Sequence, residues 1–107
     1  MQQTIIIKQN NGQKIVHTNI ILKREKLEGG YFLEFGKHKI GDFQYISLLK
    51  GDINYYGENS LKHEELYFAF KKKNQWRVLD ATRVKVIEDF RKKVDAVNRL
   101  RSFINLK

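Results

Sequence analysis

Histidine, carboxylate and serine are the side chains in this chain that could hold a metal, move a proton or attack a carbonyl. Their spacing supports none of these roles. His17, His38 and His63 are spread far apart, with no cysteine anywhere and no i, i+4 histidine pair. The run His63-Glu64-Glu65 resembles a zinc-binding helix motif, but the second histidine is missing. Each histidine is therefore expected at a solvated or sheet-face position, with no metal bound. Ser47, Ser60 and Ser102 sit in no G-x-S-x-G context, so no activated serine is expected. Asp42, Asp52, Glu58, Glu64 and Glu65 are scattered among lysines, as ordinary surface charges are. Gly29-Gly30 and the stretch Gly36 to Gly41 lack the G-x-x-x-x-G-K-[ST] pattern, and neither leads into a helix, so no phosphate loop is expected. The expectation is a chain that is not an enzyme and uses no cofactor.

What remains is positive charge interleaved with aromatic rings. The 107 residues carry 21 Lys and Arg against 12 Asp and Glu, a formal net charge of +9. Such a balance attracts polyanions at long range: nucleic acid, an anionic membrane face or an acidic protein. Single-stranded nucleic acid is held by bases stacking on rings while cations neutralise the backbone, each stacked base contributing ~1–3 kcal/mol. Tyr31, Tyr45, Tyr55, Tyr56, Tyr67 and Trp76 are the candidate rings, since a tyrosine joins a flat face to a tip that tolerates water. Lys37, Lys39, Lys71, Lys72, Lys73 and Arg77 lie beside them in sequence. Phe32, Phe68, Phe70 and Phe90 are assigned to the core.

These residues must be positioned by regular elements, and glycine punctuates them because proline is absent. Thr4 to Lys8 is a β-branched run ending at Asn10-Asn11-Gly12, a tight hairpin signal. Lys14 to Arg24 reads as a long strand with Val16, Thr18, Ile20 and Leu22 on one side. After the break at Glu28-Gly29-Gly30, Tyr31 to Phe35 and Phe43 to Leu49 read as two more strands, separated by a basic turn. Asp52 to His63 is mostly loop. Glu65 to Lys71 alternates, and Lys72 to Gln75 forms a polar tip before Trp76 to Leu79, giving a second hairpin with three lysines at its end.

From Asp80 or Thr82, either of which can cap a first turn, the period becomes helical. Ile87, Phe90, Val94, Val97 and Ile104 form one apolar stripe, broken by Arg101 and flanked by Leu100. The opposite side carries Lys85, Arg91, Lys92 and Arg99. Residues 81 to 107 hold eight Lys and Arg against three acids, so positive charge is expected to concentrate on the helix.

The predicted fold is α+β: an antiparallel, hairpin-connected sheet of five to six strands from residues 1 to 80, packed by one long helix over 81 to 107, in a single domain. Strands followed by a C-terminal helix is also the layout that Pur-type, Whirly-type and pleckstrin-homology domains have. The likeness is architectural and implies a binding module. The leading expectation is a small nucleic-acid-binding domain, single-stranded or weakly sequence-specific, that grips phosphates through the Lys71 to Lys73 tip and the basic side of the helix. The alternative is a protein-interaction module, such as an accessory or inhibitory factor of a phage or mobile element, that docks an acidic partner or a second copy. Binding to anionic membrane through the same lysines is a third. The absence of cysteine, of a signal-like N-terminus and of any long apolar run leads us to expect a cytoplasmic location and no transmembrane segment.

Overall fold

A computed structural model of the chain describes residues 2–9, 14–39, 41–56 and 63–105, with side chains from Ile20 on. The Asn10-Asn11-Gly12 turn, Glu58 and Ser60 lie outside the described residues, and the side chain of His17 lies outside the described side chains. Among the described residues seven strands follow one another in hairpin order: β1 Gln2–Gln9, β2 Lys14–Lys26, β3 Tyr31–His38, β4 Gln44–Gly51, β5 His63–Lys72, β6 Gln75–Asp80 and β7 Val86–Phe90. Each pairs antiparallel with the next. A short parallel pairing of β1 with β5, Lys8 opposite Glu64 and Gln9 opposite Glu65, curls the first five strands back on themselves. An up-and-down run of five strands leaves its first and last members pointing the same way, so the closure has to be parallel. The helix α1, Lys93–Ser102, follows. The α+β class and the strands-then-helix layout match the sequence expectation.

Strand alternation divides the sheet into two faces. Leu33, Phe35, Ile46, Leu48, Ala69, Trp76 and Val78 form one, and they pack on Ala96, Val97 and Leu100 of α1 as a single apolar cluster. Fully burying such a leucine or valine contributes about 1.5–3 kcal/mol, so this cluster fixes the helix to the sheet. The inner face carries Phe32, Glu34, Tyr45, Ser47, Leu49 and Phe68, all buried. Gly36 lets the inner face close. A Cβ there would stand 2.7 Å from the Ile20 carbonyl oxygen and 2.7 Å from Tyr45 Oη, closer than any real side chain approaches.

The helix departs from its predicted limits. It starts at Lys93, and Val86–Phe90 is an edge strand. Asp80 and Thr82 do cap, but they cap a turn: Thr82 Oγ1 donates to Asp80 Oδ1 at 2.7 Å, Arg83 N donates to the Asp80 carbonyl, and Asp80 N to the Lys85 carbonyl. Arg83, at φ 61°, lies in the left-handed region, which ends any helical run. The β-branched Val84 and Val86 then favour extended chain. Consequently Ile87 and Phe90 belong to a strand, and Val94 is 57% exposed, whereas Ala96, Val97 and Leu100 form the buried helical face.

The regular alternation expected for β2 is also interrupted. A bulge between Ile21 and Lys23 resets the facing, so Ile21 is buried while Leu22 is 64% exposed. Among the described residues no helix is long and apolar enough to cross a membrane.

Candidate functional site

Register brings the cations together where sequence distance separates them. At one end of the sheet the β5–β6 hairpin turns, with Lys72 opposite Gln75 and Lys71 opposite Trp76. Trp76 is opposite Phe90, so Arg91 and Lys92 emerge at that same end. Tyr45 is opposite Phe70 and Lys37 opposite Gln44, which brings the β3–β4 turn there too, with the exposed Lys39. Lys71, Lys72, Lys73, Arg91 and Lys92 are all exposed. Lys37 is 3.4 Å from Asp42 and partly exposed.

The hairpin tip carries strain. Lys73 has φ 55°, a left-handed conformation that suits glycine and costs a lysine about 1–2 kcal/mol. A cation thus occupies the position where a glycine would be the relaxed choice.

The rings at this end are not the tyrosines. On the inner face, half-buried His38 stacks on half-buried Phe43 with centroids 5.0 Å apart, and Phe43 is 5.6 Å from half-buried Phe70. His38 N donates to the Phe43 carbonyl at 2.8 Å, closing the turn that holds both rings. Phe70 is opposite Arg77, and Arg77 opposite Asp89. Lys72 lies two residues beyond Phe70 on the same face. A row of three rings with cations along its border therefore runs across β3, β4, β5 and β6.

Arg77 is engaged: Nε donates to Asp89 Oδ1 at 2.9 Å and Nη2 to Oδ2 at 3.2 Å. Those hydrogen bonds, with Lys72 adding its positive field, hold the Asp89 carboxyl below the usual carboxylate range. Arg77 contributes to the border as half of an ion pair.

The proposed tyrosine rings are elsewhere. Tyr45 is 1% exposed, and its hydroxyl donates to Glu34 Oε2 at 2.6 Å. Burial first, then the Glu34 charge, raises its pKa. No face of it is open to a base. The ring of Tyr67 is covered by Phe103 at 3.7 Å, and Trp76 is buried with Lys93 over it. Half-buried Tyr31 packs against the helix-side cluster, with Lys50 Nζ 5.4 Å from its ring. Tyr55 is edge-on to His63, and the Arg24 guanidinium lies 4.1 Å from the ring of Tyr56.

The helix likewise carries fewer open cations than its sequence suggests. Arg99 is 3.6 Å from Glu88 and lies over Phe103, and Arg101 is ion-paired with Glu25. The helical cations are largely neutralised by neighbours on β2 and β7, so the open charge collects at the N-terminal end of α1.

Phe70, assigned from its alternation to the core, packs against buried Tyr45, Phe68 and Leu79 yet stays half-buried at the margin of that cluster. From sequence, Phe43 reads as a strand residue and His38 as a solvated histidine. Their proximity to Lys37 and Lys39 was the one local signal, and only the β4–β5 register adds Phe70.

A second cluster, of buried charge, occupies the inner face. Arg24 donates to Glu34 Oε1 at 3.0 and 2.8 Å and, through Nη1, to the carbonyls of Ile53 and Tyr55, both at 2.7 Å. Glu65, expected at the surface, is 0% exposed, with Arg83 Nη1 2.7 Å from Oε1 and Nη2 donating to Oε2 at 3.0 Å. Desolvation raises the Glu65 pKa to about 7, against the opposing pull of Arg83. His63, expected to be solvated, is 2% exposed, and its Nε2 is 2.7 Å from the Asp52 carbonyl oxygen. Burial lowers its pKa. Alternation alone could not find these groups, because a closed sheet buries its inner face and an open one leaves it wet.

Compared with models of known protein families, with characterised proteins and with solved structures, the chain matches none.

Proposed function

We propose that this chain is a non-enzymatic nucleic-acid-binding domain that takes a single strand at the lysine-bearing end of its sheet. The observation that carries the reading is the row His38, Phe43 and Phe70, partly open and bordered by Lys39, Lys72, Lys73 and the Arg77–Asp89 pair. Rings accept bases of any sequence, and the surrounding ammonium groups neutralise phosphates, so binding would depend on strand character more than on sequence. A cytoplasmic location suits such a role.

Fluorescence anisotropy with a labelled single-stranded oligonucleotide tests it. If about four phosphates are neutralised, a fourfold rise in salt weakens binding by about 50-fold. A matched duplex should bind less tightly, having no unpaired bases to stack. Failure to bind any single-stranded DNA or RNA at low salt would remove the reading.

A second reading, a protein-interaction module, is favoured by β7. Among the described residues this strand pairs with β6 alone, and Val84 and Val86 beside its other edge are 83% and 45% exposed. An extended segment of an acidic partner, or of a second copy, could add there. Pull-down of one specific protein after nuclease treatment would favour it.

A further inference from the structure

The groove between β2 and α1, on the sheet face opposite the rings, holds two cations that form no ion pair among the described residues. Lys23 Nζ stands 4.8 Å from the centroid of Phe35, and Lys93 Nζ stands 5.4 Å from the centroid of the same ring. Two ammonium groups are thus gathered over one buried phenyl group, and among the described residues neither has a carboxylate partner. The acid of the groove, Glu25, is taken by Arg101. Lys93 is also the first residue of α1, where the helix dipole disfavours a cation, and Arg91 and Lys92 precede it. The groove has a volume of about 410 Å³ and an apolar wall formed by Val94, which is 57% exposed, and Val97.

Two ammonium groups and an exposed aliphatic side chain thus line one groove. An anion with a short hydrocarbon body matches both features, because its head can pair with the groove's ammonium groups while its tail covers Val94. The volume falls within the range of small-molecule sites. We propose that this groove is a binding site for a small aliphatic carboxylate, held by Lys23 and Lys93. It stands apart from the ring row and does not depend on the nucleic-acid reading.

The single tryptophan supplies a reporter, since Lys93 Nζ is 5.9 Å from the Trp76 ring and an anion bound to Lys93 alters the field that the indole feels. The full chain is titrated with octanoate, with acetate as a head without a tail and octanol as a tail without a head. Octanoate is expected to shift Trp76 emission saturably and raise the melting temperature, at concentrations where the other two do neither. The double variant Lys23→Gln, Lys93→Gln is expected to bind octanoate about tenfold less tightly. The proposal is overturned if octanol matches octanoate, if acetate matches it, or if the folded double variant responds undiminished. Should the double variant not fold, the three-ligand comparison on the unaltered chain still decides.

Discussion

The ring of Phe43 stands 5.6 Å from the ring of Phe70, tilted by 59°, and the two residues meet only because β4 and β5 pair with Tyr45 opposite Phe70. Replacing either with alanine removes one stacking surface. We expect Phe43→Ala to weaken single-strand binding by ~1–3 kcal/mol, roughly 5- to 150-fold, with an unchanged salt slope because no cation is lost. Phe70→Ala should act in the same direction, and both changes should also lower the melting temperature, since both rings pack against buried Tyr45, Phe68 and Leu79. Anisotropy titrations at several salt concentrations separate the two effects. Unaltered affinity in Phe43→Ala would remove the ring row from the site.

Lysine reversal should behave differently from ring removal. Changing Lys71, Lys72 and Lys73 together to Glu is expected to abolish single-strand binding at moderate salt while leaving the fold intact, because all three are exposed. Asp89→Asn should tighten binding several-fold and steepen the salt slope by about 0.7, since it frees Arg77 for one more phosphate. If Asp89→Asn weakens binding at normal stability, the Arg77–Asp89 pair plays some other part.

Strain at the hairpin tip gives a trade of stability against affinity. Lys73→Gly is expected to stabilise the protein by up to about 1 kcal/mol, because glycine accepts the positive φ of 55° freely. The same change deletes one open cation and should loosen the single strand a few-fold. Urea unfolding and anisotropy on one preparation test both, and a loss of stability would mean that the lysine side chain packs favourably at the tip.

The buried pair Glu65–Arg83 predicts a pH dependence of stability. Burial lifts Glu65 from its ordinary value of 4.5 to about 7, so between those pH values the folded chain holds a proton that the unfolded chain releases. Stability from this group is greatest below pH 4.5 and falls as pH rises through 7, by roughly 3 kcal/mol. His63, whose pKa is lowered, acts in the opposite sense and costs stability as pH falls below 6.5. Glu65→Gln isolates the first effect. Relative to the unaltered chain, the variant should gain roughly 3 kcal/mol between pH 4 and pH 8, and a difference independent of pH would contradict the assignment.

Local pattern was enough to find most of the strands and to set the class. Alternation in Glu65 to Lys71 and the polar tip after it are local properties, and the β5–β6 hairpin follows from them. The stretch after Leu79 misled because valines, acids and arginines at three- and four-residue steps satisfy a helix and a strand equally. Arg83 in the left-handed region decides between them, and nothing in its identity announces that. The lysine tip was legible for the same local reason, whereas the ring row depends on strand pairing across β3, β4 and β5. Tyr45 and Glu65 depart from expectation because a tyrosine tip and a carboxylate normally reach water. Here Glu34 and Arg83 meet them inside a closed sheet.

The most direct test of the central claim is to follow backbone amide NMR shifts while the protein is titrated with a short single-stranded oligonucleotide. The account predicts that the largest changes fall on residues 37–39, 42–44, 70–77 and 89–93, the turns and strand ends that register gathers at one end of the sheet. Changes confined to the opposite end, around Glu28–Gly30 and Gly51 to Tyr55, would contradict it.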